Sequence, residues 1–224
     1  MENASVSVAD AAMELAKGRK GAPVLVVAGT GNNGGDALGA ARHLSNRGAA
    51  VSILLIGGAS KRTPETATQL RTCRRMQLPV ASARAKLAPG LAQALQRLAP
   101  AAGTKRSGPL IVVDGLFGTG LSRNVVGAAR DAILAMNGLR QAGAKIVSID
   151  LPSGMNGESG EPMGACVHAE LTVTFVGLKS GMLAPETSRA LGRVIVADIG
   201  VPRGLVESLA VWAEGAARRR SRGI

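Results

Sequence analysis

Six short apolar runs rich in β-branched residues recur along this chain of 224 residues: Val24–Ala28, Val51–Ile56, Leu110–Val113, Lys145–Ile149, Leu171–Val176 and Val194–Ala197. Several show almost no polar alternation, which is the pattern of strands buried on both faces. Helical periodicity fills most of the intervals, over residues 6–17, 35–47, 64–77, 86–99 and 126–142. A repeated β-α-β order predicts a mostly parallel sheet with helices on both faces. Right-handed crossovers then give an α/β fold, a three-layer α/β/α Rossmann-like sandwich. Ligands of such folds bind beyond the carboxyl ends of the strands, so the chemistry is expected in the loops there.

Aliphatic side chains must build the core, because Trp212, Phe117 and Phe175 are the only aromatic residues. A chain of this size buries a sizeable core without staples. The only cysteines, Cys73 and Cys166, exclude a disulfide scaffold and read as free thiols. The organisation expected is one domain over 1–210 and a basic tail over 211–224, with Ala101–Pro109 as an exposed connector. No apolar run is long enough to span a bilayer, and residues 1–20 lack a leader pattern, which points to a soluble cytoplasmic protein.

The net charge of +12 invites a nucleic-acid reading, but single-strand binders stack bases on aromatic rings and this chain has three. The charge is also concentrated. Residues 61–106 carry ten Lys and Arg against one acid, Glu65, and Arg218, Arg219, Arg220 and Arg222 add four more. Such runs read first as solvated helix faces.

Three loops follow predicted strands and combine glycine with oxygen-bearing side chains. The first runs Gly29-Thr30-Gly31-Asn32-Asn33-Gly34-Gly35-Asp36. Its glycines meet the G-x-G-x-x-G spacing between a strand and a helix, where backbone N–H groups can approach a phosphate. No Asp or Glu follows Leu54-Leu55-Ile56 to hold a ribose, so a standard NAD site does not fit. The second loop, Asp114 to Arg123, offers Gly118, Gly120, Thr119 and Ser122 as a nest-like anion site and Arg123 as a phosphate partner. The third, Asp150-Leu151-Pro152-Ser153-Gly154, supplies an acid/base candidate in Asp150 and a ligand in Ser153. Three such loops at strand ends make one shared site.

The segments GTGNNGGDALGAARHL, VVDGLFGTGLSR, SIDLPSGMNGESG, TVTFVGLKSGML and VADIGVP occur in this order. Together they resemble the NAD(P)H-hydrate epimerase family from about residue 1 to about residue 202, and even the opening Met1-Glu2-Asn3-Ala4 looks like the end of the family's first helix. The resemblance implies a Rossmann-like homodimer acting on NADHX and NADPHX, nicotinamide cofactors hydrated at C6. It would interconvert their R and S epimers, so that a separate NAD(P)H-hydrate dehydratase can restore NAD(P)H. It also implies a bound potassium ion.

Carried over by motif, Asn32, Asn33, Gly34, Gly35 and Asp36 match the first substrate loop. Gly118, Thr119, Gly120, Leu121, Ser122, Arg123 and Asn124 match the second. Asp150 matches a substrate-contacting, catalytic aspartate. Asn33, Asp114 and Ser153 match potassium positions, and Lys179 matches a family lysine read here as assisting catalysis or holding the ion network. Potassium prefers oxygen ligands, which these residues supply. In the implied chemistry, protonated Asp150 helps the C6 hydroxyl leave while ring N1 supplies electrons. Water then returns on the opposite face with the carboxylate as base. Ring opening and reclosing is the alternative route.

Ala37 and Ser5 stand where the family has Gly, and a methyl at Ala37 is expected either to pack the new helix or to crowd the substrate. Relatives carry more residues ahead of Met1, so a shorter first helix is expected here, and too few residues follow Pro202 for a fused dehydratase domain. His43 reads as structural, His168 has no metal partner at useful spacing, and Met155 and Met182 flank the cleft. A second functional class is a catalytically silent dimerising or interaction module, which the 61–106 stretch would suit. The intact Asn33, Asp114, Asp150, Ser153 and Lys179 favour the enzyme.

Overall fold

The computed structural model describes residues 1–83, 86–99 and 108–207. Seven strands form one sheet: β1 (Pro23–Ala28), β2 (Ala50–Ile56), β3 (Val80–Ala83), β4 (Ile111–Gly115), β5 (Lys145–Ile149), β6 (Leu171–Phe175) and β7 (Arg193–Ala197). Their order is β3-β2-β1-β4-β5-β6-β7, and every neighbouring pair is parallel. The helices are α1 (Glu2–Leu15), α2 (Asn32–Asn46), α3 (Pro64–Arg75), α4 (Ala88–Gln96), α5 (Gly127–Gln141) and the short α6 (Ser188–Leu191).

The near-continuous apolar strands have a direct structural cause. In β1, Val24, Val26 and Ala28 face one core, shared with Val8 and Ala12 of α1, Leu38 and Leu44 of α2, and Leu70 of α3. Leu25 and Val27 face the opposite core, with Ala94 of α4 and Ile133 and Met136 of α5. Both faces are covered, so a polar residue would gain solvent on neither. The expected three-layer architecture is what forms.

The sequence-based elements need three corrections. β3 was not expected, because Val80-Ala81-Ser82-Ala83 holds a single β-branched residue; it forms by adding to the edge of β2, with Ile53 opposite Val80. Helix α1 begins at Glu2 rather than near residue 6, and its small residues Ala4, Ala9 and Ala12 allow close packing against α2. Helix α2 begins at Asn32 rather than 35, so most of the first site loop is the first turn of a helix. The predicted connector lies largely, and the tail entirely, outside the described residues.

Running from β1 outward to β3, then back past β1 to β4 and outward to β7, the chain reverses direction between β1 and β4. A crevice opens at the carboxyl ends of two strands whose loops diverge. No helix among the described residues is long and apolar enough to cross a membrane.

Candidate active site

The crevice at the reversal is a cleft of about 660 Å³. The end of β1 and the first turn of α2 contribute Thr30, Gly31, Asn32, Asn33 and Asp36; the segment after β4 contributes Leu116 to Arg123 without a break; Asp150 and Phe175 close it from β5 and β6. A second cavity of about 640 Å³ shares Thr119–Ser122 and adds Asn156, Gly157, Glu158, Lys179 and Ser180. The two share these four residues, and their walls mix polar groups with the apolar side chains of Leu116, Phe117, Leu121 and Phe175.

Glycine is required where the β1–α2 turn meets the β4 loop. A Cβ on Gly29 would overlap the Leu116 carbonyl, and one on Gly34 would overlap the Gly29 carbonyl. This close packing holds the amino end of α2 against the cleft, where its unpaired N–H groups favour negative charge. The second loop departs from expectation. Neither Gly118 nor Gly120 is among the described glycines with positive φ, so the segment is not an alternating nest of left- and right-handed residues. Its hydroxyls and Arg123 still face the cleft, whereas Asn124 does not line it.

Asp114 is not at the rim. It lies inside β4, fully buried, and its carboxylate accepts from the Ser148 hydroxyl (2.9 Å), the Ser153 N–H (2.9 Å), the Ser153 hydroxyl and the Leu116 N–H (3.3 Å). Burial pushes its carboxyl up from the usual carboxylate range, against these hydrogen bonds. The Ser153 hydroxyl in turn accepts from the Phe117 N–H at 2.9 Å. The Asn33 amide donates to the Phe117 carbonyl (2.8 Å) and the Ile149 carbonyl (3.1 Å). Asn33, Ser153 and Asp114 thus meet around Phe117 in one hydrogen-bonded cluster made of oxygens and one amide. A sealed carboxylate held by neutral donors alone, in a cluster without nitrogen or sulfur ligands, fits a hard cation of low charge. No group of three or more His, Cys, Asp or Glu suited to a metal occurs among the described residues.

Asp150 and Lys179 form the second polar cluster. They are ion-paired, with side-chain exposures of 14% and 19%. Lys179 also donates to the Thr174 hydroxyl (2.7 Å) and the Phe175 carbonyl (3.1 Å), and Thr174 donates to Asp150 at 3.3 Å. Asp150 has φ of +65°, with the Leu151 N–H bonded to the Ile149 carbonyl at 2.8 Å. Val176, on the next strand's end, has φ of +69° and the same pattern, Gly177 N–H to Phe175 carbonyl at 2.8 Å. These are tight three-residue turns in a conformation that costs a non-glycine residue about 1–3 kcal/mol. They end β5 and β6 abruptly, with Asp150 lining the cleft and Lys179 the adjoining cavity. The role of Thr174 was not read from the sequence, although it stands five residues before Lys179 in a quoted motif.

Asp36 also lines the cleft, and its Oδ1 is buried with no hydrogen-bond partner. Burial pushes its carboxyl up to about 6, with the Asp150 charge adding to the rise. Gly34 and Gly35 are buried beneath the cleft. Ala37 is fully buried and its methyl points at Gly115, away from the ligand space, so it packs the helix and does not crowd a substrate. Ser5 bonds the Asp36 carbonyl at 3.1 Å, tying α1 to α2. His43 is structural, bonded to Glu2 at 2.9 Å. Met155 and Met182 pack in a small core with Leu151 and Leu191 rather than lining the cleft. Cys73 and Cys166 are free thiols.

The residues 1–181 match the family model described as "YjeF-related protein N-terminus". The chain is 38% identical over 198 residues to the NAD(P)H-hydrate epimerase of Limosilactobacillus fermentum, covering 88% of this chain and 84% of that protein. It is 39% identical over 178 residues to the protein of the same name from Levilactobacillus brevis, covering 80% and 73%. It is 37% identical over 209 residues to the "Bifunctional NAD(P)H-hydrate repair enzyme Nnr" of Thermofilum pendens, covering 92% of this chain but only 36% of that longer protein. Among solved structures, that of the yeast protein ynu0 (YNL200c) superposes with a TM-score of 0.69 at 25% identity, covering 91% of this chain and 80% of the other. With its parallel sheet, its paired strand-end clusters and a match over most of its length, the chain belongs to the YjeF-related N-terminal family.

Proposed function

We propose that this protein is an NAD(P)H-hydrate epimerase, an isomerase that interconverts the R and S forms of NADHX and NADPHX at C6 of the nicotinamide ring. The observation that carries the reading is the Asp150–Lys179 pair, held by Thr174, with Asp150 lining the cleft next to the amino end of α2. Relatives named for this activity match over most of their own length. The amino end of α2, Thr119, Ser122 and Arg123 bind the anionic part of the dinucleotide, and Asp150 faces the ring and handles a proton at the C6 hydroxyl. Positioned proton transfer of this kind contributes roughly 10²–10⁴-fold.

A potassium ion is the proposed resident cation, held by Asn33, Asp114 and Ser153 with the Phe117 carbonyl in reach. When bound it supplies positive charge that fixes the loops after β1, β4 and β5 in one arrangement. Asp114 and Ser153 are sealed beneath the cleft and act by holding that arrangement. The protein is further proposed to work as a homodimer in the cytoplasm, beside a dehydratase that consumes one epimer. The longer relatives named as bifunctional repair enzymes support that pairing. An interaction module without catalysis is the weaker reading, because none of the described Lys and Arg of the 61–106 stretch lines the cleft and the cleft residues are intact.

The test supplies a mixture of R- and S-NADHX with an S-specific dehydratase and follows NADH recovery. The protein should abolish the slow phase, and Asp150→Ala should restore it. An unchanged slow phase with the unmutated protein would refute the assignment.

A further inference from the structure

Epimerisation through loss and return of water needs two proton transfers on opposite faces of the ring. One goes to the hydroxyl that leaves, and the other comes from the water that returns. The Asp150–Lys179 pair accounts for one. The other carboxyl lining the same cleft is Asp36, while Glu158 is exposed in the adjoining cavity and Asp114 is sealed below.

Asp36 differs from Asp114 and Asp150 in having a buried carboxyl oxygen without a partner. Its Oδ1 is buried and unpartnered, while the main-chain carbonyl of the same residue is satisfied by Ser5. A buried polar oxygen without a partner is costly, and the residue that carries it lines the cleft. The charged groups around it are the Met1 amino group from the side of α1, Asp150 with its Lys179 from the ends of β5 and β6, and Arg123 from the β4 loop. Burial outweighs the Met1 amino group and pushes the Asp36 carboxyl up to about 6. The cleft therefore holds one carboxyl ion-paired with an ammonium and one whose burial outweighs the charges near it. Surroundings that separate two carboxyls in this way divide acid from base.

We propose that Asp36 is a second catalytic residue, which donates the proton on which the C6 hydroxyl leaves while Asp150 accepts the proton of the water that returns on the other face. This rests on the epimerase reading and gives it its second proton-transferring group. In the first step the C6–O bond breaks, its electron pair leaves with oxygen, the Asp36 proton completes a water molecule, and N1 donates its pair toward C6. In the second, water forms a new bond to C6, the electrons return to N1, and the proton passes to Asp150. Nothing is oxidised or reduced. The opposite epimer runs the same path backward, so in both directions the active pair carries one proton.

The experiment separates the epimers directly by chromatography, across a pH series, with a parallel measurement of oxygen exchange at C6 from isotopically labelled water. With the unmutated protein, kcat/KM should fall with rising pH, with a midpoint near 6. Asp36→Asn should lower kcat by on the order of 10²-fold with little change in KM, slow oxygen exchange in step, and erase that alkaline limb. If the unmutated protein epimerises with no limb near that pH, or if Asp36→Asn raises KM and leaves kcat intact, Asp36 is a binding contact and the inference is overturned. Should the variant not fold, the profile and oxygen exchange of the unmutated protein decide. A protein that epimerises nothing overturns the functional reading as a whole, which is a distinct result.

Discussion

Asp114, inside β4, and Asp150, just past the end of β5, belong to neighbouring strands, yet one is sealed and the other can be reached from the cleft. Asp114 is fully buried, and its four hydrogen bonds come from neutral serine and backbone groups. Asp150 is partly exposed and has an ammonium of its own in Lys179. Burying a charge costs several kcal/mol unless an opposite charge meets it. At Asp150 the chain supplies that charge from within, five residues beyond Thr174. At Asp114 none of the described side chains does, and only neutral donors meet the carboxyl. The first arrangement suits proton transfer to a ligand, and the second is where the proposed cation would sit.

The largest effect expected from breaking this contrast is at Lys179. Lys179→Met should leave Asp150 without its counter-charge and with Thr174 alone, and lower kcat on the order of 10²-fold while the far-ultraviolet spectrum is unchanged. A variant with normal turnover would show that the pair is structural. The intermediate effect is at Asp114. The unmutated protein should unfold at a higher urea concentration in potassium chloride than in tetramethylammonium chloride of equal ionic strength, because an ion that binds only the folded state stabilises it. Asp114→Asn keeps the shape of the carboxyl and should remove most of that difference. Equal midpoints in the two salts for the unmutated protein would remove the case for a cation. The smallest effect is at Ala37, which is packed against Gly115 behind the cleft. Ala37→Gly should cost about 1 kcal/mol in helix stability and leave KM within about twofold. A large fall in KM would mean that the methyl crowds the ligand after all.

Much of the frame was legible because both faces of the central strands are buried. Val24–Ala28 reads as a strand in the sequence and is one, and the same holds for Lys145–Ile149. β3 was not legible, since Ala81, Ser82 and Ala83 have little intrinsic preference for a strand and pair only because β2 presents an open edge. The beginning of α2 was misplaced because Asn-Asn-Gly-Gly has the composition of a turn. Packing of Gly34 on Gly29 compensates for the poor helix propensity of glycine. The site residues were legible as types and as a set, but not as two separate clusters. Asp114, Asp150 and Ser153 look alike at strand ends, and only burial separates the sealed Asp114–Ser153 knot from the accessible Asp150–Lys179 pair.

By itself the amino-acid sequence determined the alternation of strands and helices, the use of both sheet faces and the chemical groups gathered at the strand ends. These follow from hydrophobic period and from short motifs, which are local properties. The tertiary structure decided which carboxyl is shut away, which meets an ammonium and which has no partner. Those differences arise from desolvation, from contacts between residues as far apart in the chain as Asn33 and Ile149, and from the repulsion between the carboxyls of Asp36 and Asp150. A residue's charge is written in its side chain, but whether that charge is stable, paired or unmet depends on what the fold places around it.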